Sequence, residues 1–408
     1  MKITRVTTTP VRMSISRVPY RSEGVGTKFH WGGKRSRVTP KRPTPIMEYV
    51  LVRLETDAGL TGIGEAAVDI GFFGYTIEQV RYAIEDYLGP HWVGKDPLDR
   101  EYLLGLIDFR DNSSAICGLD LALHDLIGKA LKTPACVLLG GRQKTAVPVS
   151  IEIAAGSPDG MARECLAYME KGVRAFKAKI GGVPDTDAEC LRAIREAVGP
   201  KVSLRADANQ GYSPKEAIRL CRLAEKYDLR LELLEQPVAR GDLQGMAFVR
   251  RSVDTLVEAD ESCYSPSDAM QIIRHEAADV LNIKLNKAGG LYHAKKIAAL
   301  AESAGLKCVL GTSWGLGVEI AAKLHLASST MLVTDTVEFT EIGLHGNLLT
   351  PPHDKTLALP VENGCLPVPE GPGLGIAIDD RAVAPQYSRA PQLLRRSHAG
   401  GKACSIPR

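Results

Sequence analysis

From Ala146 onwards, short apolar or β-branched runs recur at VPVSIEI, RAFKAKI, VSLRAD, LELLE, TLVEAD, DVLNIK, LKCVLG and DTVEFTE. Each is followed by a stretch whose apolar residues return every three or four positions, as in SPKEAIRLCRLAEKYD and YHAKKIAALAESAG, the period of a helix with one buried face. Eight such units in succession predict a (β/α)8-type TIM barrel within an α/β chain. Upstream the pattern differs. MEYVLVRLETDAGLTGIGEAA holds two apolar runs around Asp57-Ala58-Gly59, which predicts an antiparallel hairpin. From about Thr76 the period turns helical, and SSAICGLDLALHDLIGKALKTPACVLLGG stops near Pro134. An α+β domain over 1–140 is therefore expected before a barrel over 141–350. After Pro351 the repeat is lost. GPGLGIAID reads as a strand within a segment, 351–385, that returns to the first domain, and 386–408 reads as a basic, loosely ordered tail.

Charged residues interrupt these runs at regular places. RAFKAKIGG, residues 174–182, carries Lys177 and Lys179, and residues two apart in a strand share a face. Lys179, Asp207, Glu235, Asp260 and Lys284 follow one another at spacings of 28, 28, 25 and 24 residues. Each falls at the C-terminal end of a strand, the face on which barrel enzymes build their sites. Asp207, Glu235 and Asp260 would end neighbouring strands, where three carboxylates repel unless a cation lies among them. An all-oxygen donor set with positions left for water and substrate suits Mg2+, with Mn2+ as a substitute, better than zinc. Asn209 would contact or orient that site.

Lys179 and Lys284 sit four strands apart and so face each other across the ring. A lysine acts as a base near neutral pH only when its pKa is lowered, and Lys177 and the metal would both act on Lys179. The expected chemistry is removal and return of a proton α to a metal-bound carboxylate, through an enolate stabilised by the cation. Other charges carry structural expectations: Arg205 as an ion-pair partner, Lys287 as a loop or helix-start residue, and Asp120, His124 and Asp125 as solvated or capping groups on a helix.

Composition narrows the class. The chain has 408 residues, 44% hydrophobic, and a formal charge of +3. No apolar run approaches the roughly eighteen residues of a membrane span, and MKITRVTTTPVRM lacks the apolar region of a secretory signal, so a cytoplasmic location is expected. Nine cysteines without a C-x-x-C pair argue against a disulfide framework or zinc site. Basic residues gather at both ends, where a solvated or substrate-facing loop is expected and no nucleic-acid partner.

In combination these motifs resemble the enolase superfamily, specifically the muconate-cycloisomerase-like subgroup of the mandelate racemase and muconate lactonizing enzymes. KAKIG is similar to its Lys-x-Lys strand, RADANQGY, LLEQPV and EADES to its three metal-ligand strands, and NIKLNKAGG to its second lysine strand. The likeness covers nearly the whole chain. It implies a modified enolase barrel capped by the N-terminal domain, with Lys179 and Lys284 as the acid/base pair and Asp207, Glu235 and Asp260 as Mg2+ ligands. It further implies Glu261 as an outer-shell acid near Lys284, Glu341 beside the substrate carboxylate, and a homo-oligomer. Substrate choice would fall to the N-terminal domain and to the ends of the last two barrel strands. There YRSEGVGTKFHWGGKRSR, with Tyr20, Phe29, His30 and Trp31, is either a lid over an apolar or aromatic acid or ordinary surface. Trp314 in GTSWGLG would stack on a ring or receive an ammonium. Dipeptide epimerases of this subgroup carry Asp-x-Asp where this chain has Thr340 and Glu341, which counts against a dipeptide.

The resulting expectation is an Mg2+-dependent isomerase of a small carboxylic acid, either a racemase/epimerase or a cycloisomerase. A dehydratase using the same enolate is the alternative. A Schiff-base lyase is a weaker one, for which the carboxylates supply no reason.

Overall fold

The computed structural model describes residues 1–14, 46–69, 72–107, 111–331, 336–339, 349 and 362–388. Three antiparallel strands, β1 (Ile3–Ser14), β2 (Ile46–Thr56) and β3 (Thr61–Val68), form a sheet in that order. The turn between β2 and β3 is the expected hairpin, closed by Thr56 N–H on Leu60 O at 3.1 Å, with Gly59 at φ 73°. Strand alternation gives the sheet two buried faces. Val50, Val52, Leu54, Ala66 and Val68 join a core with the domain's own helices, whereas Met47, Tyr49, Leu51, Ile63 and Ala67 join the core of the barrel. The glycines of TGIGEAA make the first contact close: a Cβ on Gly64 would lie 2.0 Å from Gly118 O.

The helix Ser113–Ala130 rests there and is buried almost all round, as an all-apolar helix must be. Its polar residues are correspondingly not solvated; of the two expected roles they take the capping, structural one. Asp120 accepts from the amides of Leu291 (2.5 Å) and Tyr292 (3.4 Å), and Asp125 from those of Ile63 and Leu374 (both 2.8 Å) and from Lys129 Nζ (2.6 Å). His124 Nδ1 bonds Asp120 O at 2.9 Å. Their roles are structural because a wedged helix leaves no route to water.

Eight parallel strands follow as the periodicity predicts: β4 (Ala146–Ile153), β5 (Ala175–Lys179), β6 (Ser203–Asp207), β7 (Leu231–Glu235), β8 (Leu256–Ala259), β9 (Val280–Ile283), β10 (Lys307–Leu310) and β11 (Val337–Glu338). They pair in the order β10-β9-β8-β7-β6-β5-β4-β11, a nearly closed barrel in which no ladder joins β10 to β11 among the described residues. A helix follows each strand from β4 to β10, and several begin with a serine cap and proline, as at Ser213-Pro214. β12 (Cys365–Pro367) adds antiparallel to β4.

GPGLGIAID is not a strand. Gly373 and Gly375 take φ of 69° and 67°, which breaks extended pairing. The segment nevertheless closes on the first domain, through Gly373 N–H on Thr133 O (2.9 Å) and Ala135 N–H on Gly373 O (2.7 Å). A helix, Asp380–Ser388, then packs on β1, ties to Arg53 through Asp380, and runs past the expected start of the tail; the rest of that tail lies outside the described residues. The eight described cysteines are unpaired, seven of them buried. No described helix is long and apolar enough to cross a membrane.

Candidate active site at the barrel mouth

The ladders place the charged strand ends side by side, with Lys179 in register with Asp207 and Asp207 with Glu235. Lys179 Nζ donates to Asp207 Oδ2 at 2.6 Å and lies 3.0 Å from Glu152 Oε1. Lys177, one pleat below and fully buried, reaches Glu235 and Glu338 at 2.7 Å each and the same Glu152 oxygen at 3.1 Å. Across the ring, Lys284 directly follows β9 and donates to Asp260 Oδ2 at 2.6 Å. Asn209 holds Asp207 Oδ1 by its amide at 2.8 Å and Glu261 by its side chain at 3.2 Å. Lys177, Lys179, Asn209, Asp207, Glu235, Asp260, Glu261 and Lys284 thus lie in one cluster. Arg205 pairs with Glu232, its Nε and Nη2 at 3.1 and 3.0 Å.

Lys287 lies at a helix start, one of its expected places, but its burial was not foreseen. It is a buried side chain of the short helix Leu285–Ala288, bonded to the Asp260 carboxylate, to Asp260 O (2.7 Å) and to Asn282 O (3.1 Å). The strand-to-helix bend directs it inward, onto the third carboxylate. Gln236 was also missed; its Oε1 accepts from Asp260 N (3.0 Å) and Ser262 N (3.1 Å) and fixes the backbone at that carboxylate.

A small cavity, about 30 Å3, opens above the cluster, lined on the barrel side by Glu152, Lys179, Asn209, Lys284 and the Thr312–Trp314 loop. The first domain roofs it with Met47, Asp69, Phe72 and Phe73. Lys284 Nζ stands 4.9 Å from the Phe72 ring centre, and Tyr264 anchors that loop by donating to Phe72 O at 3.1 Å. Trp314 lines the cavity. Tyr20, Phe29, His30, Trp31, Thr340 and Glu341 lie outside the described residues.

Two domains of one known family account for this arrangement. A family model described as mandelate racemase / muconate lactonizing enzyme, N-terminal domain, matches residues 41–140, and one described as enolase C-terminal domain-like matches 160–382. The chain belongs to this enolase-superfamily family. It is similar to an L-Ala-D/L-Glu epimerase of Clostridium acetobutylicum, 37% identical over 84% of this chain and 94% of that one. It is also similar to a chloromuconate cycloisomerase of Cupriavidus pinatubonensis, 32% identical over 84% and 91%. Among solved structures, the N-succinyl Arg/Lys racemase of Bacillus cereus superimposes with a TM-score of 0.83 at 28% identity, covering 95% and 98% of the two chains. Like these relatives, this family member is an isomerase, and membership implies a divalent metal.

The residues present fit such an ion. Glu152, Asp207, Glu235, Glu258, Asp260, Glu261 and Glu338 are all buried around Lys177, Lys179, Lys284 and Lys287, so carboxyl groups outnumber ammonium groups. Burial pushes Glu258 up to about 8 and Glu261 up to about 7, with neighbouring carboxylates adding to it, and Glu235 is likewise raised. Neither Glu258 oxygen has a hydrogen-bond partner among the described residues. A hard cation bound by oxygen donors relieves this kind of crowding. Each carboxylate of the candidate triad is engaged by an ammonium group, and no three acidic, His or Cys side chains among the described residues stand ready-spaced around a metal. Burial works against charge on Asp260 and Lys284, yet their contact prevails: Asp260 is held well below the usual carboxylate range and Lys284 above the usual lysine range.

Proposed function

We propose that this enzyme is a racemase or epimerase that moves the α-proton of a small carboxylic acid between Lys179 and Lys284. The observation that carries this reading is that both ammonium-bearing side chains line one cavity from strands four apart, each leaning on a different carboxylate. That is the arrangement two-sided proton transfer needs, since a base must stand on each face of the carbon. Lys284, whose charged form Asp260 favours, is the proton donor in one direction; Lys179 is the acceptor, and the roles reverse for the mirror-image substrate.

Asp207, Glu235 and Asp260 would hold Mg2+, or Mn2+ in its place. When bound, that ion supplies Lewis-acid stabilisation for the charge that develops on the substrate carboxylate. Asn209 and Glu261 hold the hydrogen bonds around Asp207, and Lys177 neutralises the layer beneath. Met47, Phe72, Phe73 and Trp314 exclude water and favour an apolar or aromatic substituent. The relatives' names cover dipeptides, N-succinyl amino acids and muconates. Thr340-Glu341 in place of Asp-x-Asp argues for an acid other than a dipeptide.

Incubating N-acyl amino acids, free amino acids, acid sugars and muconates with the enzyme and Mg2+ in D2O tests the reading. A substrate gains one deuteron at the α-carbon and loses optical purity without changing its formula otherwise. Lys179→Ala and Lys284→Ala are expected to abolish exchange from opposite enantiomers. Exchange that survives EDTA sinks the proposal, and a product lighter by one water shows a dehydratase instead.

A further inference from the structure

Trp314 has φ 56°, the left-handed region that a bulky L-residue enters only when its surroundings impose it. Some of what imposes it comes from the other domain. Tyr49 Oη, on the barrel-facing side of β2, donates to Trp314 O at 2.6 Å. Two residues on, Glu65 of β3, with no exposed surface, accepts from Leu316 N–H at 2.5 Å and Glu319 N–H at 3.1 Å. These are amides at the start of the helix Gly317–Ser328, where Leu316 has no side-chain acceptor to offer. Within the loop, Trp314 N–H donates to Thr312 Oγ1 at 2.9 Å.

The free edge of β3 reaches the segment just beyond the second lysine. Ala67 N–H donates to Asn286 Oδ1 at 2.8 Å, and Asn286 Nδ2 donates to Glu319 Oε2 at 2.9 Å; Asn286 lies two residues beyond Lys284. Gly315 passes so close to that carboxylate that a Cβ there would sit 2.0 Å from Glu319 Oε2. Tyr49 and Glu65 by their side chains, and Ala67 by its main chain at the sheet edge, therefore bond to both segments that border the cavity after β9 and β10. The glycines beside Glu65 make this possible, because they let β3 press on its own helix while its opposite face meets the barrel.

We infer that Glu65 and Tyr49 are positioning residues: the capping sheet, through them, sets the pose of Trp314 and hence the shape of the cavity wall. Selectivity is then built into the rigid frame between the domains as well as into any loop that covers the mouth. The inference deepens the proposed function and rests on it for its kinetic readout only.

The test uses the full chain labelled with fluorotryptophan, whose fluorine spectrum carries one signal for each of Trp31, Trp92 and Trp314, assigned with Trp314→Phe. Tyr49→Phe and Glu65→Gln are expected to shift or broaden the Trp314 signal. The signal of Trp92, buried with its indole N–H on Leu103 O in the separate capping core, stays in place and reports a folded domain. With an acid that undergoes exchange, KM rises about fivefold while kcat stays within about twofold, the size of one lost hydrogen bond expressed in binding alone. An unmoved Trp314 signal in both variants overturns the inference, as does a fall in kcat at constant KM. If Glu65→Gln does not fold, the near-isosteric Tyr49→Phe decides. If no acid exchanges, the fluorine shift still decides the positioning role, and it is the isomerisation reading that falls.

Discussion

Asp125 and Asp207 are both carboxylates with no exposed surface, and different groups satisfy them. Asp125 bonds the amides of Ile63 and Leu374 and a half-buried lysine, tying β3 and the C-terminal segment to one helix. Glu65 and Asp120 are likewise taken up by amides. Asp207 instead shares its second oxygen with Lys179 at the edge of a cavity, within a ring of carboxylates that outnumber their lysines. A backbone amide has nowhere else to go, so a carboxylate bound to amides is architecture. The lysine on Asp125 is also tied to Thr61 O at 2.9 Å. Lys179, in contrast, lines the cavity on a flexible stem and can leave Asp207 for a substrate atom, so it is the place of the lysine that makes Asp207 a candidate for chemistry.

The sharpest way to break this distinction is to remove charge on each side. Asp207→Asn, Glu235→Gln or Asp260→Asn is expected to lower α-proton exchange by about a thousandfold or more. Such variants should also lose the rise in melting temperature that Mg2+ gives the parent protein. Glu235→Gln relieves repulsion among like charges and should leave the fold intact, whereas Asp260→Asn leaves the buried Lys284 and Lys287 without their anion and should lower the unfolding free energy. Urea unfolding beside exchange assays checks both points; a variant that exchanges normally removes its carboxylate from the site.

Asp125→Ala is expected to do the opposite. It strands two buried amides at the junction of three segments, a loss of roughly 4 kcal/mol in unfolding free energy. The kcat of the molecules that remain folded should be unchanged. A large drop in kcat without loss of stability would place Asp125 with the chemistry and erase the comparison.

The same contrast explains what could be read from sequence. The five charged strand ends were legible because alternation and a spacing of 24–28 residues leave a local trace. Glu258 had such a trace too, two residues before Asp260 in an apolar run, as did Glu152 and Glu338. Their recognition required accepting charge in a layer that barrels usually fill with apolar side chains. Lys287 had none, since its helix of four residues is too short to show a period. Glu65 shows only which face it takes, and its partner Leu316 is 251 residues away. Phe72 and Phe73 reach the cavity by domain packing, which no local pattern encodes. The glycines of GPGLGIAID were visible, but their left-handed backbone was read as extension.

A smaller effect sharpens the architectural side of the comparison by adding a group that can titrate. His325 is buried where the C-terminal segment meets the barrel, its Nδ1 accepting from Cys136 N–H at 3.3 Å and its Nε2 bonded to Leu374 O at 3.2 Å. Only the neutral ring with its proton on Nε2 satisfies both, because a second proton would confront the Cys136 amide. Burial accordingly pushes His325 down to about 4. Since the unfolded imidazole titrates near 6.5, the fold's preference for the neutral ring is fully present above that pH. It is lost as pH falls toward 4, by about 3 kcal/mol in all. Carboxylates titrate in the same window, so the quantity to measure is the difference in unfolding free energy between the parent and His325→Gln. That difference should shrink steadily from pH 6.5 to pH 4. A flat difference would mean the imidazole is charged in the folded protein, and that the C-terminal segment is held to the barrel by an ion and not by amide-like bonds.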